Sequence, residues 1–195
     1  PARCARVRAL RASGALDDER LQALFALTSK RAADIFDVPL AMVSLIDEHV
    51  QVVRGAHGSL PGVSSASGDL DMAREISMCG HVVANAEMLV VPDLARDPRF
   101  AGNAALRGKG LRFYAGAPLR DAEGHVLGSL CILDVVPREL DARERRLLQA
   151  MADDLMEVAR GADSQLGAID LRERTDAADA PVQPPSATVG QPVPT

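Results

Sequence analysis

"LRFYAGAPLRDAEGHVLGSLCILDVV" (residues 111–136) decides the fold. Two apolar runs, 111–120 and 125–136, flank Asp121-Ala122-Glu123-Gly124, a turn whose glycine is available for positive φ. Strands joined by so short a turn must run antiparallel. A second hairpin stands near the other end. There "LAMVSLI" (40–46) and "VQVVRG" (50–55) are separated only by Asp47-Glu48-His49. Hairpins at both ends imply an antiparallel sheet rather than a doubly wound parallel one.

The helices follow from periodicity and caps. Asp17 and Asp18 precede a segment in which Leu21, Leu24, Phe25, Ala32, Ile35 and Phe36 recur at helical spacing, and Pro39 stops it. Asp141 and Glu144 form a capping-box pattern before a helix carrying Leu147, Leu148, Met151, Leu155 and Val158. Ser77 caps a short helix, 78–86, "MLVVPD" (88–93) is a strand, and Asp97-Pro98 reads as a helix start. Between 56 and 73, glycines, Pro61 and a serine cluster describe a long loop. The fold class is therefore α+β. We expect an antiparallel sheet of five or six strands, with the N- and C-terminal helices packed on one face. The segment 56–110, loop and short helices, forms a lid over a pocket on the other. Residues 1–14 are a flexible or helical lead-in, 15–161 the folded domain, and 162–195 a disordered Pro-rich tail.

Composition narrows the function. The net charge is −5 and aromatic residues make up 3%, with no basic stripe, so nucleic acid is not an expected partner. No apolar run reaches the roughly 18 residues that cross a membrane, and "PARCARVRAL" lacks the apolar core of a signal peptide. Three widely spaced cysteines (Cys4, Cys79 and Cys131) do not make a disulfide framework, and a reducing, cytoplasmic setting is expected.

Five collinear blocks resemble a GAF domain: "VPLAMVSLIDEHVQ", "REISMCGHVV", "LVVPDLARDPRFAGN", "RFYAGAPLRDAEGHVLGSLCILD" and "PRELDARERRLLQAMA". They are most similar to the bacterial subgroup associated with sensor histidine kinases and diguanylate cyclases. The resemblance implies a sensory module of signal transduction that binds a small molecule under its loops and pairs as a homodimer through the terminal helices. A kinase or cyclase would be its output partner. The cyclic-nucleotide signature Asn-Lys…Phe…Asp-Glu and the Asp-Cys-His context of bilin attachment are both missing, so ligand and cofactor stay unidentified. "MCGHVV" also resembles free methionine-(R)-sulfoxide reductases, which would make Cys79 a nucleophile. Those enzymes keep further cysteines in the segment matching 93–106, where this chain has none. A third reading is a GAF scaffold that dimerises without any ligand.

Eight residues are candidates for the ligand site: Arg74, Cys79, Asp93, Arg99, Arg112, Tyr114, Ser129 and Cys131. Cys79 falls in the first turn of the short helix, where unpaired N–H groups favour thiolate; the alternative is a small apolar filler beneath the lid. Cys131, in a central strand, is expected to be buried and inert, leaving Cys79 without a resolving thiol. Arg112 and Tyr114 alternate onto one strand face, where a cation and a hydroxyl would meet an anionic or carbonyl-bearing ligand. Alternatively, Arg112 pairs with Asp93 or Glu75 to pin the lid. Ser129 and Cys131 share a face, and the larger Leu130 and Ile132 face the helices. Cys79, His81 and Cys131 have soft-ligand chemistry but no metal-binding spacing, so no metal is expected. Signalling would proceed by population shift, the lid altering the pairing of helices through residues such as Leu27 and Met156.

Overall fold

The computed structural model describes residues 2–60, 63–64 and 72–178. The element order is α1 (Ala2–Ala12), α2 (Glu19–Phe36), β1 (Leu40–Ile46), β2 (Val50–Leu60), β3 (Val63–Ser64), β4 (Met72–Ala73), a 3-10 turn (Arg74–Ile76), α3 (Met78–Asn85), β5 (Leu89–Val91), α4 (Ala104–Gly108), β6 (Phe113–Arg120), β7 (Val126–Asp134) and α5 (Ala142–Ala178). The strands form one sheet in the order β3-β2-β1-β7-β6-β5, with β4 paired to β2. Every pairing is antiparallel, as the two hairpins require.

Register assigns the two faces. Met42 lies opposite Cys131, which lies opposite Gly116; Leu40, Leu133 and Tyr114 form the next such row. These side chains pack with Met78, Cys79, Val82 and Val83 of α3 in one buried cluster. Leu130 and Ile132, one residue out of phase, are fully buried but outside that cluster. The buried residues of α2 and α5 are outside it too, so α3 covers one face and α2 the other.

Caps set the helix ends largely as the sequence indicates. Asp18 accepts from the N–H groups of Arg20 and Leu21 and starts α2; Asp37, in the left-handed region with φ 48°, ends it before Pro39. Asp141 and Glu144 exchange reciprocal 2.8 Å bonds ahead of α5. The apolar stripes, however, sit slightly rotated from expectation. Leu21, Phe25, Ala32 and Phe36 are buried, whereas Ile35 is 53% exposed. On α5 the buried residues are Leu148, Ala152, Leu155 and Met156, leaving Leu147 and Val158 outward. Met156 therefore belongs to the core and is not an interface residue; Leu27, 46% exposed, remains available.

The lead-in takes the helical of its two expected forms, with Val7 and Leu10 buried and Arg6 donating to the carbonyls of Ile46 and Asp47. Three boundaries differ from the sequence reading. Strand β2 continues through Gly58 to Leu60 because β1 supplies partners as far as Leu40. Asp97-Pro98 makes one turn, with Asp97 O accepting from the N–H groups of Phe100 and Ala101; α4 begins at Ala104, where Asn103 Oδ1 accepts from Leu106 N–H. Finally, α5 does not end at Gly161 but runs to Ala178, since residues 162–178 contain no proline and are rich in good helix formers. The proline-rich stretch 181–195 lies outside the described residues, as does most of the expected loop at 61–71. By its contacts the chain divides into compact units at Arg160/Gly161. No helix among the described residues is long and apolar enough to cross a membrane.

Candidate functional site

The site is built where α3 lies on the sheet. Ser77 is the N-cap of α3: its hydroxyl accepts from Gly80 N–H at 3.0 Å and donates to the Gln51 amide oxygen. That cap puts Cys79 in the first turn, directed at the strands. Its Sγ lies 3.7 Å from Cys131 Sγ and accepts a 3.3 Å hydrogen bond from the Tyr114 hydroxyl. Cys131 Sγ is itself 3.5 Å from the Met42 carbonyl, to which its thiol can donate. Ser44 and Ser129 face each other across β1 and β7 on the same side of the sheet. Both hydroxyls are buried with no nitrogen or oxygen partner among the described residues, and the neighbouring thiols are what they can bond to. All five side chains are essentially inaccessible.

Gly116 makes this arrangement possible. It lies opposite Cys131, and a Cβ there would overlap the Tyr114 hydroxyl and ring. The bare position lets the tyrosine lie across its own strand and reach α3.

The electrostatics separate the two thiols. Hydrogen bonding from Cys131, helped by the hydroxyls of Ser129, Tyr114 and Ser44, lowers the Cys79 pKa despite complete burial. Burial pushes Cys131 and Tyr114 upward, so both stay protonated and serve as donors. The first turn of α3 and the Tyr114 hydroxyl that donates to it make Cys79 the thiol of the pair favoured as an anion. Cys131 is buried, as its central strand implies, but the expectation that Cys79 would have no second thiol beside it is corrected: the sheet register brings Cys131 directly beneath the first turn of α3.

The remaining candidates lie elsewhere. Arg112, just before β6, turns away from Tyr114 and clasps Asp93 through bonds of 2.8 and 2.7 Å. That pair borders an open groove of about 640 Å³ shared with Arg96 and Arg138. Its hydrogen bonds hold the Asp93 carboxyl down at about 2. Arg99 is bonded to Asp97 at 2.9 and 2.6 Å and lies over the Phe100 ring, 5.2 Å from its centroid. Arg74 joins Arg3 and Arg6 along a different cleft of about 260 Å³, and burial lowers its pKa. Of the eight candidates, Cys79, Tyr114, Ser129 and Cys131 form one group and Asp93 and Arg112 a separate pair; Ser44 completes the first group although the sequence reading does not include it. Its signal was available in the alternation of β1, which places it two residues from Met42.

The hollow beneath α3 is small. A void of about 20 Å³ is lined by Leu40, Met42, Met78, Cys79, Leu106 and Leu133 among others, room for one water molecule. Met42, Met78 and Leu133 close in on it, and the space falls far short of the ligand pocket that the sequence reading expects. As for metals, His81 turns to Phe100, edge-on at 5.1 Å, rather than to the thiols. Among the described residues, Asp121, Glu123 and His125 in the β6–β7 turn form the one group of metal-type ligands, and His125 already pairs with Asp121 at 2.9 Å.

The sequence that folds in this way, with α2 behind the sheet and α3 in front, matches the family model of the GAF domain over residues 20–158. The chain belongs to the GAF domain family. Over 126 residues this GAF domain is 36% identical to the cyclic di-GMP phosphodiesterase PA2567 of Pseudomonas aeruginosa. The match takes in 62% of this chain but only 20% of that protein, so the chain spans about a fifth of the relative's length. The shared region is the GAF region alone. Among solved structures it resembles the GAF domain of a phosphoenolpyruvate-protein phosphotransferase from Coxiella burnetii (15% identity, TM-score 0.61, 85% of this chain and 96% of that one). It also resembles the type II free methionine-R-sulfoxide reductase of Thermoplasma acidophilum (10% identity, TM-score 0.60, 73% and 94%). At such identities the likeness establishes the fold alone.

Proposed function

We propose that this GAF domain is a regulatory module that senses at the hollow beneath α3 and reports through α2 and α5 in a homodimer. One observation carries the reading. The enclosed wall of the hollow is shared between α3 and the strands β1 and β7, whose reverse face carries α2. A molecule that lifts α3 therefore changes the support under α2. It acts as a signal only if it binds the lifted and seated states unequally. Since the seated hollow holds about one water, the ligand must be small and mostly apolar, with a polar group for Cys79, the member of the thiol–hydroxyl group that lines the void. Arg74, Asp93, Arg99 and Arg112 take no part in that chamber. The output partner is read as a domain of cyclic-dinucleotide or phosphoryl signalling, on the strength of the relative named above.

The same small void favours a second reading, a GAF scaffold that dimerises with nothing bound. It weighs against the sulfoxide reductase, because free methionine sulfoxide is several times the size of the available space. Native mass spectrometry of the protein purified without added ligand distinguishes these. A dimer carrying one small molecule per protomer supports the sensory reading. A bare dimer supports the scaffold, and a bare monomer that persists as the protein concentration is raised overturns both.

A further inference from the structure

We propose that Cys79 and Cys131 are a peroxide-reactive dithiol, with Cys79 the nucleophile and Cys131 the resolving thiol, closing to a disulfide that fastens α3 to the sheet. This deepens the reading of the α3 chamber as the sensing element and rests on it. The sulfurs stand 3.7 Å apart, and a disulfide bond of about 2.05 Å requires them to approach by about 1.7 Å, within the sweep of one cysteine side-chain rotation.

The roles are unequal for three reasons. Cys79 sits in the first turn of α3, where the helix's unpaired N–H groups favour an anion, whereas Cys131 lies in a strand. The Tyr114 hydroxyl donates to Cys79, while the Cys131 thiol has the Met42 carbonyl as an acceptor and keeps its proton. Access is also one-sided: the small void borders Cys79 and not Cys131. Its size, about that of one water, selects the oxidant, since hydrogen peroxide enters with slight widening and an alkyl hydroperoxide does not.

The chemistry balances as follows. The Cys79 thiolate attacks one peroxide oxygen, the O–O bond breaks, and the departing hydroxide takes up the proton lost by the Cys79 thiol to become water. Cys79 is left as a sulfenic acid. Cys131 then attacks that sulfur; the S–S bond forms, the S–O bond breaks, and the oxygen leaves as a second water with the Cys131 proton. Two thiols and one hydrogen peroxide give one disulfide and two waters. Burial shields the product from bulky thiol reductants, so reduction waits on local opening of α3.

The test uses the full chain with the exposed third thiol removed, Cys4→Ser. After equimolar hydrogen peroxide the protein is denatured, alkylated and weighed. Loss of both alkylation sites together with a Cys79–Cys131 linked peptide is expected, and tert-butyl hydroperoxide should act far more slowly. In Cys131→Ala, dimedone should label Cys79; in Cys79→Ala, Cys131 should stay reduced. Two alkylatable thiols after peroxide in folded Cys4→Ser protein overturn the proposal, a result that needs no variant at the site itself. Sulfenic acid on Cys131 rather than Cys79 overturns it as well. Failure here is distinct from failure of the sensory reading. A ligand-bearing dimer whose thiols ignore peroxide loses only the dithiol, whereas a bare monomer that forms the disulfide loses only the regulatory role.

Discussion

The absence of a single methyl group at Gly116 determines where Tyr114 can lie, and through it what Cys79 touches. A Cβ at Gly116 would overlap the tyrosine hydroxyl and crowd the ring carbon bearing it, 2.8 Å away. We expect Gly116→Ala to destabilise the domain by about 1–3 kcal/mol, the usual cost of overpacking a closed core. Adding Tyr114→Phe should recover part of that loss, because one of the two overlaps goes with the oxygen. Denaturant melts of the two single variants and the double variant measure this coupling. At the Asp93–Arg112 clasp the argument concerns protons. A carboxyl held at about 2 when folded and near 4 when unfolded contributes stability that is complete above about pH 4 and lost as the pH falls through about 2. Asp93→Asn should therefore melt below the parent protein at pH 7 and level with it at pH 2. A constant gap across that range, followed by calorimetry, would show that the clasp is not the source. The sequence already offered Asp93 as one of two partners for Arg112, since charged side chains beside a strand end have few choices. It did not show that Cys131 meets Cys79, because that contact depends on the register between strands and a helix far apart in the chain.

At the scale of elements, caps were more legible than ends. Asp18, Ser77 and the Asp141–Glu144 pair act locally, so their neighbours suffice to identify them. The sequence reading ends β2 too early because its glycines resemble breakers, whereas they serve close packing. At Gly55 a Cβ would run into the backbone of Phe25 and Ala26, which marks where α2 rests on the sheet. Backbone cannot yield as a flexible side chain does. Gly55→Ala should thus cost more than Gly116→Ala, and it should loosen α2 selectively. Hydrogen exchange offers the check: amides of α2 should lose protection while those of β6 and β7 keep most of theirs. Uniform loss of protection would mean that the helix is not separately seated. The rotation of the α2 and α5 stripes has a related cause. Periodicity finds the apolar residues of a helix, but which edge of a broad stripe faces inward is settled by the partner surface.

For the molecule as a whole, the question is what covers the apolar residues that the core leaves out. Among the described residues seven large hydrophobic side chains are exposed, and four of them, Leu27, Ile35, Leu147 and Val158, lie on α2 and α5. That bias supports the homodimer proposed above. Each is about half exposed, so covering it contributes about 1 kcal/mol. The set, doubled by a two-fold axis, is comparable to the roughly 4–15 kcal/mol that association costs. The dimer should accordingly be weak and dissociate on dilution, which suits a switch whose halves must rearrange. Replacing Ile35 and Val158 together by glutamate should shift sedimentation to the monomer at concentrations where the parent is dimeric. Because both side chains face outward in the protomer, far-UV circular dichroism should not change. A double variant that still sediments as a dimer would place the interface elsewhere, and a variant that loses its helical signal would mean that these residues belong to the core after all.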